Sequence, residues 1–401
     1  MTPPSISLLL TINAGSSSLK FALFRRDETP ARLFSGAFDR IGLPQARLRL
    51  VEAKGGAAEQ RAVEVPRHAD CVPLLLDLLE ARGVGGRVRA VAHRVVHGGT
   101  YTQPALEVTP AVLATLRRFR AFDPDHLPAE LALIQACAAH FPGTPQLACL
   151  DTAFHRELPR VAQLLPIPRR YFEAGVRRYG FHGLSYGYLL EELARLAGPE
   201  AARGRLLLAH LGNGASMAAV RGGTCLDTSM AFTPAAGLVM SSRSGDLDPG
   251  LIAYLAREEG MTVHQFNTMV NTASGLLGVS ETSPDVRDLL EREAADPRAA
   301  EALQLFCYQA RKWIGALAAV LGGLDTLVFA GGIGENSTVM RERICAGLTF
   351  LGVTLDPERN AASAPVISRE GAAAVVRIIR TDEELAMARL LARWLAEGAP
   401  A

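Results

Sequence analysis

The sequence is short of several things, and each absence excludes a class of function. Charge of one sign is missing: 42 Lys and Arg stand against 41 Asp and Glu, a formal net charge of +1 over 401 residues. So balanced a chain carries no electrostatic footprint for nucleic acid. No run of 18 apolar residues occurs, which excludes a transmembrane helix, and no membrane partner is expected. The opening MTPPSIS has no basic stretch ahead of an apolar segment, so the chain reads as untargeted and cytoplasmic. The six cysteines, Cys71, Cys137, Cys149, Cys225, Cys307 and Cys345, are far apart and form no CxxC pair. That argues against a disulfide framework or a zinc cluster, and for reduced thiols in the core. What is present is 49% hydrophobic residues, 37 Gly and 23 Pro, the makeup of a soluble chain of two or three domains with many tight turns.

The most informative stretch is ISLLLTINAGSSSLKFALF, Ile6 to Phe24. An uncharged branched run predicts a buried strand over Ile6 to Ile12. A small polar turn, Asn13 to Ser18, leads through Lys20 into a second strand. Such a turn can aim N–H groups and hydroxyls at an anion, with Lys20 as a point charge. An ordinary hairpin with a polar tip fits the same residues. The stretch is neither a GxxxxGK[ST] loop nor a Rossmann fingerprint. Residues 27 to 70 alternate as solvated antiparallel strands do, and 71 to 83 read as a helix closed by Gly83. RVRAVAHRVVHGG, residues 87 to 99, predicts a strand ending in a glycine pair. It carries His93, Arg94 and His97. Arg94 emerges from the apolar run, where α/β sheets bind ligands, and arginine suits the fork of a carboxylate. A solvated strand edge is the plainer reading. Thr109 and Pro110 open a helix to Phe122 as N-cap and first residue, and Ala129 to Ala139 make another. QLACLDTAFH ends a strand at Asp151, a carboxylate able to position a metal or a phosphoryl oxygen, or simply to open a turn.

Phe181 and His182 precede a further helix, whose positive end favours anions. RLLLAHLGNGASMAAV repeats the opening arrangement of strand, Gly/Asn turn and strand, with His210, Leu211, Gly212, Asn213 and Gly214 in the turn. This placement suggests two similar halves. FTPAAGLVMSSRSGDLDP, residues 232 to 249, is a long loop with Arg243 at its centre. Ser283 or Asp285 can cap the next helix, and Glu301 to Leu321 form a long one. LDTLVFAGGIGENS reads as strand, glycine turn, helix. A strand over Val375 to Ile379 precedes TDEE, where Thr381 and Glu384 have capping-box spacing and Glu383 lies in the first turn.

These segments, in this order, resemble the acetate kinase family, within the superfamily of acetate and sugar kinases, heat-shock ATPases and actin. NAGSSSLKF is similar to the family's opening signature, HRVVHGG to its substrate segment, DTAFH to its FDTAFH, HLGNG to its second phosphate loop, and GGIGENS to its adenosine segment. The resemblance implies an α/β fold of two related ribonuclease H-like, actin-like ATPase domains with a central cleft. The expected division is 1–150 plus 381–401, and 151–380. Carried over residue by residue, Arg94 contacts the substrate carboxylate, with Val96, His126, Phe181 and Pro234 around the acyl group. Asp151, His182 and Arg243 take catalytic positions. Ser16, Ser18, Lys20, His210, Leu211, Gly212, Asn213, Gly214, Asp285, Val286, Arg287, Gly331, Gly332, Ile333, Gly334 and Glu335 fall on nucleotide positions. Asn13 and Glu383 fall on the magnesium site. The chain departs from the family at Asp125 (normally apolar), Leu127 (Asn), Leu184 (Thr), Tyr186 (His) and Ser241–Ser242 (Gly-Thr). Asp125 beside a carboxylate site would repel substrate unless it points outward, the expected case.

The implied reaction is reversible phosphorylation of acetate by ATP, by direct in-line transfer, with Mg2+ (or Mn2+) as cofactor and a homodimer as the assembly. Propionate or butyrate as substrate, a non-catalytic actin-like ATP-binding scaffold, and a hydrolase of ATP or acyl phosphates are the alternatives. The scaffold gives no reason for the set Arg94, His182 and Arg243.

Overall fold

The computed structural model describes residues 7–15, 17–53, 58–124 and 126–398. The chain forms two compact units, Met1–Ala153 with Asp382–Ala401, and Phe154–Thr381. It is an α/β fold with two mixed sheets.

The first unit is built on strands β1 (Leu8–Ala14), β2 (Ser18–Arg25), β3 (Ala31–Asp39), β4 (Arg47–Glu52), β5 (Glu59–Ala62), β6 (Val88–Val95), β7 (Ala105–Glu107) and β8 (Gln146–Leu150). Their order is β5-β4-β3-β2-β1-β6-β8-β7. The first five form an antiparallel meander, β6 and β8 run parallel to β1, and β7 closes the edge antiparallel to β8. Every residue of β1 is buried, as expected of a strand covered on both faces. Leu8, Leu10 and Ile12 pack with Phe21, Phe38, Leu75 and Leu79. The closing helix Glu383–Ala396 lies against β1 and β6 and buries Met387, Ala388 and Leu391. Each fully buried leucine or methionine there contributes ~1.5–3 kcal/mol.

The second unit has β9 (Arg205–Leu211), β10 (Ala215–Arg221), β11 (Thr224–Thr228), β12 (Thr326–Ala330) and β13 (Val375–Ile378). Their order is β11-β10-β9-β12-β13, with the first three antiparallel and β12 and β13 parallel to β9. This matches β3-β2-β1-β6-β8 strand for strand, so the same pattern of hairpin, third strand and two parallel crossovers occurs in each unit. The helix Gly183–Ala197 sets Tyr186, Leu189 and Leu193 on Leu206, Leu208, Ala218 and Val328. The helix Pro297–Leu321 packs along β9 and β10.

Several sequence expectations shift. β1 continues through Asn13 and Ala14, and Asn13 pairs with Lys20 across the hairpin, so the expected turn begins only after Ala14. The continuing ladder to β2 and the buried Ala14 side chain extend the strand. The long helix starts at Pro297, with Asp296 as its cap, rather than at Glu301. At the last helix the cap is Asp382, which accepts from the Leu385 N–H, and not Thr381. Thr381 is committed elsewhere: its hydroxyl meets Ser185 Oγ at 2.8 Å and its N–H donates to Glu335. The division after Ala153 leaves Asp151 in the first unit, because it continues directly from β8 and pairs with Arg94 on β6.

Candidate functional site

In the first unit, Asn13, Arg94 and Asp151 stand at the carboxyl ends of three neighbouring parallel strands, β1, β6 and β8, and the last helix delivers Glu383 and Glu384 in its first turn. Strand ends of this kind are where α/β sheets bind ligands. Arg94 donates through Nε and Nη2 to Asp151 Oδ2 at 3.0 and 2.5 Å, and through Nη1 to Asn13 Oδ1 at 3.4 Å. Burial opposes the charge on Arg94, but Asp151 and then Glu383 outweigh it, and the guanidinium stays firmly protonated. Asn13 Nδ2 donates to Glu383 Oε2 at 2.8 Å and to Glu384 Oε1 at 3.3 Å. Burial pushes the Glu384 carboxyl upward, Lys20 pulls it back, and Glu383 pushes it up again.

Among the described residues no three His, Cys, Asp or Glu side chains converge into an ion cage. A magnesium ion in phosphoryl transfer needs only one or two protein oxygens, the rest being water and phosphate. The hard oxygen donors of Asn13, Glu383 and Glu384 fit that ion.

Val96, two residues beyond Arg94, is buried, and its N–H donates to both oxygens of Glu130 at 3.2 Å. Glu130 was not anticipated from the sequence. Burial, then Asp123, raises its carboxyl to about 8 against the pull of Arg94 and the Val96 N–H. His126 Nδ1 bonds Asp123 Oδ1 at 2.9 Å. His93 is a core group: burial lowers it to about 4, and Nε2 bonds Gln146 Oε1 at 2.7 Å. Lys20 and Ser18 lie in β2 of this unit, and Lys20 lines a small recess with Arg32, Arg49 and Glu384. Ser16 and Asp125 lie outside the described residues.

In the second unit the HLGNG segment ends β9 and turns at Gly212 to Gly214, where the Gly212 N–H donates to the Gly214 carbonyl at 3.0 Å. His182 caps the helix Gly183–Ala197 with a left-handed backbone, φ 58°. For a non-glycine residue this is a strained geometry of a kind concentrated at functional positions. Its ring stacks on His210, 4.3 Å between centroids. A methyl group placed on Gly214 would lie 3.3 Å from His182 Nε2 and 3.5 Å from Arg243 Nη1, so both groups converge on this turn. Arg243 sits in a segment, 229 to 249, without helix or strand. Its loop is anchored at Gly275, whose φ of 61° and 2.2 Å clearance from the Met240 oxygen admit no side chain. Arg243 Nη1 donates to the Pro234 carbonyl at 3.2 Å. Phe181 is buried, and its carbonyl meets His155 Nε2 at 2.9 Å.

Beside this turn a cavity of about 660 Å³ is lined by Gly212, Asn213, Asp285, Val286, Arg287, Gly332 and Ile333. It is therefore formed by three of the segments singled out in the sequence. Pro284, Leu290, Asn336 and Ser337 of the same segments and Ser241 of the long loop also line it, together with Thr338 and Val339, which were not anticipated. Asp285 is both wall and helix cap, accepting from the Arg287 N–H at 2.9 Å. Leu211, Gly331, Gly334 and Glu335, also expected at the nucleotide, belong to the same segments but fall outside the cavity lining. Gly331, φ 75°, passes so close to the Leu211 carbonyl that a Cβ would sit 2.7 Å from it. Glu335 spends one oxygen on the N–H groups of Gly331 and Thr381, at 2.9 and 3.0 Å.

The model of the Acetokinase family matches residues 8–389. The chain belongs to the acetokinase family. An acetate kinase of Rhodopseudomonas palustris is 44% identical over 397 residues, 98% of this chain and 99% of that one. A propionate kinase of Citrobacter rodentium is 42% identical over 386 residues, 95% of each. Among solved structures, Porphyromonas gingivalis acetate kinase superposes with a TM-score of 0.88 at 35% identity, covering 97% of this chain and all of that one. A propionate kinase from Francisella tularensis gives 0.90 at 34% identity, covering 96% and 98%. Membership thus extends over both units. No helix among the described residues is long and apolar enough to cross a membrane.

Proposed function

We propose that this acetokinase transfers the γ-phosphoryl group of ATP to acetate, reversibly, giving acetyl phosphate and ADP. The observation that carries the reading is Arg94, held at a strand end by a buried carboxylate with its Nη1 edge turned toward Asn13. A guanidinium so fixed is prepared for a small carboxylate. The carboxylate is already ionised and needs no general base. One of its oxygens attacks the γ-phosphorus, the bond to the β–γ bridging oxygen breaks, and that electron pair leaves on ADP. Asp151 acts through Arg94, holding its orientation. Val96 stands beside Arg94 as the apolar contact. His182 and Arg243 donate to the non-bridging oxygens, where each donor is worth ~2.7–4 kcal/mol on the scale of an oxyanion hole. The nucleotide occupies the cavity at Gly332, Ile333 and Asp285–Arg287. Asn13 and Glu383 would hold Mg2+, or Mn2+ in its place, which would supply neutralisation of the phosphate charge during transfer. No phosphoenzyme is needed.

Propionate is the second reading, favoured by the 42% identity to a propionate kinase beside 44% to an acetate kinase. One methylene changes discrimination by only ~1–3 kcal/mol. Trapping acyl phosphates with hydroxylamine from ATP and acetate, propionate or butyrate decides the acid. ADP release without hydroxamate from any of them would overturn the kinase reading.

We further infer ribonuclease H-like ancestry for both units, supported by their shared strand order. A homodimer is supported by helices Gly250–Glu258 and Val263–Thr272, which bury no residue and leave Tyr254 and Val263 51% and 72% exposed. Light scattering at the mass of one chain would remove the dimer. Six buried free cysteines are in keeping with a reducing, cytoplasmic setting.

A further inference from the structure

Behind the ring of His182 runs a short chain of hydroxyls. His182 Nδ1 lies 2.9 Å from Ser216 Oγ, and Ser216 Oγ lies 2.5 Å from the Tyr186 hydroxyl. Ser216 and Tyr186 are both fully buried, on β10 and on the helix that His182 caps. The other ring nitrogen, Nε2, faces the Gly214 turn beside Arg243. A neutral imidazole carries one hydrogen, and whichever nitrogen lacks it is an acceptor. Only the Nε2–H form can donate to an anionic oxygen at the turn.

We propose that Tyr186, acting through Ser216, is a positioning residue that fixes His182 as the Nε2–H tautomer. The phenol is a far stronger acid than an aliphatic hydroxyl, so Tyr186 donates and Ser216 Oγ accepts. Serine has a single hydrogen, which is then directed to His182 Nδ1. Nδ1 becomes the acceptor and the ring hydrogen is left on Nε2. The left-handed backbone at His182 and the stacked His210 ring keep the imidazole plane in register with this chain. His210 is held alike, with Nδ1 2.8 Å from Ser185 Oγ, which in turn meets Thr381 Oγ1 at 2.8 Å. The inference rests on the reading of His182 as a donor to the phosphoryl group, but the tautomer can be observed independently of turnover.

The test uses the full chain labelled with 15N-histidine, the His182 signals being those lost in His182→Gln. Two-bond 1H–15N spectra of the wild type are expected to show Nε2 protonated and Nδ1 bare. In Tyr186→Phe, which keeps the packing and removes one oxygen, both nitrogens move toward averaged positions. Its kcat falls roughly tenfold, equivalent to about 1.4 kcal/mol, while calorimetric ADP affinity stays within about twofold. Ser216→Ala breaks the same chain at its other link. Adding Tyr186→Phe to it should cost nothing further, because groups acting in one network are not additive. A wild-type ring protonated at Nδ1, unchanged ring signals in Tyr186→Phe, or fully additive losses in the double variant would overturn the proposal. Wild-type protein with the expected ring signals but no phosphoryl transfer would instead overturn the kinase reading.

Discussion

Asp151→Asn separates two roles that the same carboxylate can play. In the structure Asp151 is fully buried and its Oδ2 takes two hydrogen bonds from Arg94, at 3.0 and 2.5 Å. Asparagine keeps the shape and one carbonyl acceptor but loses the charge. Hydrogen bonds to charged groups contribute ~1.5–3 kcal/mol each, so exchanging a charged pair of them for one neutral acceptor should cost about 2–3 kcal/mol of Arg94 orientation. Expressed in turnover, that is roughly 30- to 150-fold in kcat. Carboxylate KM should move little, since removing a negative charge near the anion offsets the looser guanidinium. The assay is steady-state kinetics in carboxylate, ATP and Mg2+ separately. If Asp151 instead held the metal, the Mg2+ concentration for half-maximal rate would rise by an order of magnitude and high Mg2+ would restore kcat. That result would refute the assignment of Asp151 to Arg94.

Three further outcomes are expected. Arg94→Ala should raise KM for the carboxylate more than KM for ATP and also slow turnover; a change in ATP affinity alone would remove Arg94 from the carboxylate site. His182→Ala and Arg243→Ala should each lower kcat roughly 100- to 1,000-fold with calorimetric ADP affinity nearly intact, and normal turnover in either would remove that residue from the mechanism. Glu130 has a carboxyl raised to about 8 by burial, so the folded state holds its proton where the unfolded chain has released it. Stability from this group is therefore lost as pH rises from about 4.5 toward 8, and Glu130→Gln should gain in Tm over the wild type at pH 8.5 relative to pH 5. A gain independent of pH would mean that Glu130 is charged throughout.

The elements legible in the sequence are those specified by their own residues. β1, β9 and β12 announce themselves as largely apolar runs leading into glycine-containing turns, because central strands of a covered sheet have little polar face to show, and β6 shows as a Val/Ala run broken by Arg89, His93 and Arg94. Thr109 and Pro110 give a helix start that needs nothing beyond the local chain, and Thr109 does accept from the Val112 N–H. What was not legible depends on partners distant in sequence. Thr381 and Asp382 are equally good caps on paper, and Ser185, 196 positions away, decides between them by taking the threonine hydroxyl. Arg94 and Asp151 are 57 residues apart, and only the parallel register of β6 on β8, with Arg94 beside Cys149, brings them together. Glu130 reads as one polar residue in a helix until the Val96 N–H is found under it. Tyr186 reads as a departure from the family until Ser216 is found between it and His182.

Phosphoryl is expected to pass directly between a carboxylate and a nucleotide. Phosphorus NMR of the protein with acetyl phosphate, ADP and Mg2+ tests this without a coupling enzyme. The expected result is loss of the acetyl phosphate signal matched one for one by the resonances of ATP. Inorganic phosphate growing in place of ATP, or acetyl phosphate that persists unchanged, would contradict it.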